Sequence, residues 1–169
     1  SKALRPIMIL GGGGWTDAAH SKIAKFEKVN HIPTAVSFRR QDLIDNYSEV
    51  YIGDLSTGVD PALVQRIKDS DFLLVVGSRL GEMTTKGYTT ISSPIPDQYL
   101  VHVYADVSEF GKVYQPNLSI ASGMLSFSEA ASQLPPVDWS KWANWTTAAH
   151  HDYLGPCLLY TSPSPRDRG

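Results

Sequence analysis

The chain has 169 residues, 15 of them Lys or Arg and 17 Asp or Glu, for a net charge of -2. That length predicts one domain, at most with an appendage, and leaves room for a sizeable core. No Lys/Arg run exceeds two and no apolar stretch approaches the ~20 residues that span a bilayer, so neither nucleic acid nor membrane is expected as a partner.

Residues 5–10, Arg-Pro-Ile-Met-Ile-Leu, read as a strand buried on both faces, as in parallel sheets. Gly11, Gly12, Gly13 and Gly14 follow, and then an amphipathic stretch: strand, tight turn, helix. Two readings of the turn stand side by side. The glycines let a phosphate approach the free N–H groups of the helix start, or they serve close packing alone. Thr16 or Asp17 caps a helix over 17–29. Its apolar stripe is Ala19, Ile23 and Phe26, with Val29 close to the line, while Lys22, Lys25, Glu27 and Lys28 are expected mainly on the other side. Asn30-His31 and Pro33 stop the helix, and 34–38 is a second short strand.

Arg39-Arg-Gln-Asp42 comes next, then a helical turn over 43–47 and a strand over 51–55. Asp60 caps a helix that has Pro61 at its first position and buries Leu63 and Ile67, flanked by Ala62 and Val64. Asp71-Phe-Leu-Leu-Val-Val-Gly77 is the clearest strand in the chain. The polar stretch 78–97, with Gly81, Gly87, Pro94 and Pro96, has the length of a functional loop. A strand over 99–104 ends at Asp106. A short helix over 107–113, a last strand over 118–121 and a last helix over 124–134 follow, the helix with Leu125, Phe127, Ala130, Ala131 and Leu134 apolar.

Strands alternate with helices, which places the chain in the α/β class: a Rossmann-like parallel sheet of about six strands with helices on both faces. Ligands of such sheets sit beyond the carboxyl ends of the strands, where the strand order switches direction. Gly11–Gly14, Ser56–Gly58, Ser78–Arg79 and Asp106 lie at such ends and are expected to face a common cleft. Pro135-Pro136 marks a boundary, so the domain proper is expected over 1–134 and a connector over 135–156. Trp139, Trp142, Trp145 and Tyr153 recur in a stretch that is helical from about Trp139; it either folds back onto the domain or docks on something beyond it.

One back-translation of Cys157 to Asp167 is a transposase-type sequencing adapter read in frame. Residues 157–169 are therefore expected to be read-through and the chain a fragment of a longer reading frame. The only cysteine then drops out, and with it thiol chemistry, disulfides and Cys-based metal sites. There is neither a signal peptide nor an initiator methionine, and the cytoplasm is the default location.

The dinucleotide fingerprint G-x-G-x-x-G, with an acid about 20 residues further on, is not met. Counted from Gly11 the sixth position is Thr16, counted from Gly12 it is Asp17, and the second strand ends in Arg39-Arg40. Those arginines suit a 2′-phosphate, as in NADP sites, or a solvated or interdomain charge pair. His20, His31 and His102 are scattered, and His150 and His151 are neighbours that a helix turns apart, so no metal site is expected. Asp106 and Glu109, three apart, either share a ligand or serve as helix cap and solvated acid. No Ser/His/Asp set has catalytic spacing, and no catalytic residue is assigned.

Four stretches stand in order between Arg5 and Leu134: Arg5-Pro-Ile-Met-Ile-Leu-Gly-Gly-Gly-Gly14; Tyr51-Ile-Gly-Asp-Leu-Ser-Thr-Gly-Val-Asp-Pro61; Asp69-Ser-Asp-Phe-Leu-Leu-Val-Val-Gly-Ser-Arg79; and Val101-His-Val-Tyr-Ala-Asp106 with Glu109-Phe-Gly111. Together they resemble the central domain of thiamine diphosphate-dependent enzymes, acetolactate synthase-like proteins in particular. The resemblance implies a six-stranded parallel sheet in the middle of a three-domain, homo-oligomeric (dimeric or tetrameric) enzyme. It implies that the glutamate activating thiamine diphosphate lies in a missing N-terminal domain. The Gly-Asp-Gly…Asn motif that holds Mg²⁺ and diphosphate would lie in a missing C-terminal one. The central cleft holds FAD in some members, ADP in others and nothing in the rest. Carried over by position, Gly11, Gly12, Gly13, Gly14, Ser78, Arg79, Asp106 and Glu109 would bind that nucleotide. One departure is plain: FAD-binding members continue Gly-x-Arg with Phe-Asp-Asp, whereas Gly77-Ser-Arg79 continues Leu80-Gly-Glu-Met83 and keeps only the acid Glu82. The implied reaction is condensation of 2-oxo acids. The alternatives are a thiamine-dependent 2-oxo acid decarboxylase fragment, a stand-alone FAD- or NADP-binding module, or a structural domain with an empty cleft.

Overall fold

A computed structural model describes residues 2–160, with side chains through 155. The read-through expected over 157–169 falls outside the described side chains, and 161–169 outside the described residues altogether. Six strands form one sheet: β1 (Pro6–Leu10), β2 (Thr34–Ser37), β3 (Tyr51–Leu55), β4 (Phe72–Val76), β5 (Tyr99–Tyr104) and β6 (Leu118–Ala121). Their order is β3-β2-β1-β4-β5-β6 and every pairing is parallel. The order reverses between β1 and β4. In register, Leu10 faces Val36 on one side and Val76 on the other, and Val76 faces Val103. The residues that follow, Gly11, Ser37, Gly77 and Tyr104, therefore start level along one edge.

Side-chain alternation divides the core between the two faces of the sheet. Ile7, Ile9, Leu73, Val75 and Leu100 pack with Leu63 and Ile67 of α2 (Pro61–Asp69). Met8, Leu10, Leu74, Val76 and Val103 pack on the opposite face, with Ala19 and Ile23 of α1 (Asp17–Val29) and Met124 of α3 (Met124–Gln133). Each such aliphatic side chain contributes roughly 1.5–3 kcal/mol on burial, which is why the strands read as unbroken apolar runs.

Both expected caps are present. Thr16 Oγ1 accepts from the Ala19 N–H at 3.2 Å, and Asp60 accepts from the Ala62 N–H at 2.7 Å ahead of Pro61. The buried stripe of α1 departs from expectation. It is Ala19, Ile23 and Glu27, whereas Phe26 is half-buried and Val29 is exposed. Four residues bring a helix only about 40° past a full turn, so position 27 follows position 23 inward whatever its charge. In α3 the buried residues are Met124, Ser128 and Ala131, the last two small enough for a close approach to α1, while Leu125 and the C-cap Leu134 are exposed. The turns expected over 43–47 and 107–113 are single 3-10 turns, Gln41–Leu43 and Val107–Glu109.

The aromatic stretch folds back. A 3-10 turn, Trp139–Trp142, leads into α4 (Ala143–Tyr160), which lies beside the edge strand β3 and α2. Each buried indole has a carbonyl partner: Trp142 Nε1 donates to Asn30 O (3.2 Å) and His31 O (3.1 Å), and Trp145 Nε1 to Pro6 O (3.0 Å). His150 Nδ1 meets Tyr51 O at 2.7 Å, and Arg66 pairs with Asp152 at 2.7 Å. The stretch that composition set apart as a connector is packed as part of the fold.

Candidate functional site

The glycine run divides in two. Gly11 continues the ladder, its N–H donating to Val76 O at 3.0 Å. A Cβ there would run into the side chains of Ser37 and Ser78. Gly12 has φ +69°, and a Cβ on it would collide with the carbonyl of Gly77, itself at φ +76°. These two glycines let the loops after β1 and β4 press together. Gly13 differs: a Cβ there would meet nothing within 4 Å, and at Gly14 only the Met124 side chain, at 4.0 Å. The close-packing reading thus holds for Gly11 and Gly12, while the space over Gly13 and Gly14 is open.

Arg40 closes one side of this turn. Its Nη1 donates to the Gly12 carbonyl, and its Nε and Nη2 donate to Asp42 at 3.0 and 2.9 Å. The hydrogen bond from Arg40 holds the Asp42 carboxyl below the ordinary carboxylate range. Arg39 lies over the Phe38 ring, 4.9 Å from its centroid. The arginine pair is therefore split between a tie to the glycine turn and an aromatic face.

The other side is built from β4 and β5. Ser78 is buried, and its carbonyl meets His102 Nε2 at 2.8 Å. A carbonyl can only accept, so Nε2 carries the ring proton. Desolvation lowers the His102 pKa and keeps the ring neutral, against smaller opposing contributions from Ser78 and Glu109. Arg79 stands at the surface, with Nε donating to the Tyr104 hydroxyl at 2.9 Å. That bond raises its pKa, and the Glu109 and Asp106 charges act the same way. Asp106 accepts from the Ser108 N–H at 2.9 Å, which depresses its pKa and caps the short turn after β5. Glu109 pairs with Lys112 at 2.9 Å.

The structure thus brings Gly11 against Ser78, and Arg79 together with Asp106 and Glu109, at the switch between β1 and β4. Ser56–Gly58 is placed elsewhere than expected. Gly58 opens on a cavity of about 170 Å³ with Gly53, Asp54, Asp60, Arg66 and Asp152, between β3, α2 and α4. It lies there because β3 is the edge strand, two places from the switch point. The contacts of His102 and Tyr104 escaped the reading by residue type, and Arg40, read there with Arg39 as suiting a 2′-phosphate or a charge pair, is tied to the Gly12 carbonyl and to Asp42. The available signal was a lone imidazole inside the apolar strand 99–104. Among the described residues no three His, Cys, Asp or Glu side chains are grouped to hold a metal ion. Among them, too, no helix is long and apolar enough to cross a membrane.

Comparison with known proteins agrees with this architecture. The family described as "Thiamine pyrophosphate enzyme, central domain" matches residues 1–131. The chain is similar to the acetolactate synthase large subunit of Corynebacterium glutamicum, 24% identical over 150 residues, which cover 85% of this chain and 24% of that protein. It is similar to the acetolactate synthase isozyme 1 large subunit of Escherichia coli K12, 23% identical over 135 residues (80% and 23%). A third relative is the acetolactate synthase large subunit of Cyanidium caldarium, 24% identical over 118 residues (70% and 20%). The chain spans about a quarter of the length of these relatives.

Proposed function

The chain belongs to the family of thiamine pyrophosphate enzyme central domains, and on that premise we propose that it is the scaffolding and nucleotide-holding domain of an acetolactate synthase-like enzyme that condenses 2-oxo acids. In this reading thiamine diphosphate and Mg²⁺ are held by the domains on either side, and the parent protein is a cytoplasmic homo-oligomer. The part played by this chain is to hold those domains and to seat FAD or ADP. One observation carries the nucleotide half: the open space over Gly13 and Gly14 at the point where the strand order reverses, with Arg79 following the neighbouring strand β4. A diphosphate would lie along Gly13 and Gly14 near the first N–H groups of α1, with Arg79 as its counter-charge. Asp106 and Glu109 offer acceptors to ribose hydroxyls on the same rim.

The test is thermal unfolding of the purified chain with FAD and, separately, ADP. A ligand present at about 100 times its Kd stabilises by about 2.7 kcal/mol, a rise of several degrees in Tm. A rise with one of them, reduced by Arg79→Ala, supports the nucleotide role. No rise with either leaves only the scaffold. Reading the source gene outward tests the enzyme half, which expects an activating glutamate upstream and Gly-Asp-Gly…Asn downstream.

A second reading, a stand-alone FAD- or NADP-binding module, draws on one observation. The return of α4 onto β3 closes that edge from within the chain itself. A start codon just before Ser1 and a stop close after Gly155 would favour it over the enzyme.

A further inference from the structure

Three depressions join end to end at the end of the sheet opposite the glycine turn, where Pro6, Phe72 and Tyr99 open β1, β4 and β5. The first, about 220 Å³, lies between α1 and α3 beside Phe26, Val29 and Leu134. The second, about 170 Å³, shares Phe26 and Leu134 with it and is also lined by Phe72 and Val137. The third, about 380 Å³, shares Phe72 and ends at Tyr99. The Phe72 and Tyr99 rings are stacked, their planes 3° apart. The three make one continuous groove.

The rim is as apolar as the floor. Leu134 is 61% exposed and Tyr99 50%, and Val29 and Val137 also reach the surface. Single apolar side chains are ordinary on a surface, whereas a contiguous set around a groove marks a contact. The charged residues along it are Lys2, Lys25 and Asp71. Asp71 is engaged: its carboxylate accepts from the Leu4 and Arg5 N–H groups at 2.8 and 2.9 Å. Those two bonds fix the path of the chain, and Lys2 and Ala3 line the third depression. Whatever polypeptide leads into residue 2 therefore arrives along the groove. A second copy of this chain is a poorer occupant. In a two-fold pair the same patch meets itself, and two grooves face to face enclose a void that native packing does not tolerate.

On the reading that this is the middle domain of its parent, which the coverage of about a quarter of its relatives supports, we propose that the groove seats the domain before it. The occupant is an apolar stretch of that domain close to its junction with residue 2. Its chemistry follows from the lining: aliphatic or aromatic side chains along Phe26, Phe72 and Tyr99, and an acid opposite Lys2 or Lys25. Neither lysine has a partner among the described residues. Docked here, the domain lies at the end of the strands away from Gly13 and Gly14 and leaves the nucleotide cleft open.

The experiment is hydroxyl-radical footprinting of the 169-residue chain and of the chain extended upstream through the preceding domain, as the source gene encodes it. Tyr99 and Leu134 are expected to oxidise readily in the 169-residue chain. In the extended chain, burial to a tenth of their surface or less is expected to lower both about fivefold. Met83, 42% exposed and beyond the carboxyl end of β4, is expected to keep its reactivity. Full reactivity of Tyr99 and Leu134 in the extended chain overturns the docking and leaves the middle-domain reading standing. Protection of both in the 169-residue chain, rising with its concentration, gives the groove to a second copy and also overturns it. A start codon just before Ser1 removes the middle-domain reading and the docking with it.

Discussion

Adjacent glycines in this chain have opposite duties, and a methyl group distinguishes them. Gly12→Ala places a Cβ against the Gly77 carbonyl at a positive φ. Backbone strain and overpacking each cost about 1–3 kcal/mol, so a loss of at least about 2 kcal/mol is expected in urea unfolding. Gly13→Ala meets nothing and is expected to stay within about 0.5 kcal/mol of the wild type. If the nucleotide lies where proposed, the same substitution weakens FAD or ADP binding, read as a smaller rise in Tm. Glu27 gives a second residue-scale expectation. Folding raises its pKa from 4.5 to about 8, so the folded chain holds the extra proton across that window. The contribution to stability is complete below about pH 4.5 and is lost as pH climbs to about 8, on the order of a few kcal/mol in all. Asp42, Asp106 and Asp138 are held low by bonds from Arg40, Ser108 and Ser140. They titrate in a more acid window; His102, lowered by burial, acts in this one with the opposite sign, adding stability as pH rises through the ordinary imidazole range. A plot of Tm against pH is expected to fall towards about pH 8 in the wild type and to lose that fall in Glu27→Gln.

At the scale of elements, strands and caps were legible because they depend on neighbours in sequence. The apolar runs 5–10 and 71–77, Thr16 before α1 and Asp60-Pro61 before α2 all stand where local chemistry puts them. Two helices were harder. In α1 the sorting by charge sent Glu27 outward, whereas helix geometry turns it in behind Ile23. In α4 the indoles could serve any apolar surface, and only the tertiary structure shows their N–H groups seated on the carbonyls of Asn30, His31 and Pro6. Trp142 is the deepest of them, 3% exposed. Trp142→Ala is expected to cost about 3–5 kcal/mol and to free α4, seen as a drop in Tm together with faster proteolysis of the α4 segment.

For the molecule as a whole, alternating strands and helices were enough to give the class, a parallel sheet covered on both faces. The candidate site was half legible. The edge on which it lies follows from chain direction, so Gly11–Gly14, Ser78, Arg79 and Asp106 were found at strand ends. What closes that edge was not legible, because Arg40 on Gly12 and His102 on Ser78 bridge 28 and 24 residues of sequence. The two margins of the sheet are also unlike. On β3, α4 lies alongside and His150 meets the Tyr51 carbonyl. On β6, no described strand pairs with the outer side, and Leu118, Ser119 and Ala121 are exposed. Strand pairing can propagate without limit only through a body that has two open margins. A body with one open margin terminates the process at its first partner: two copies joined through β6 would make a closed twelve-stranded pair with a helix-covered margin at either end, and nothing further could add to it in the plane of the sheet.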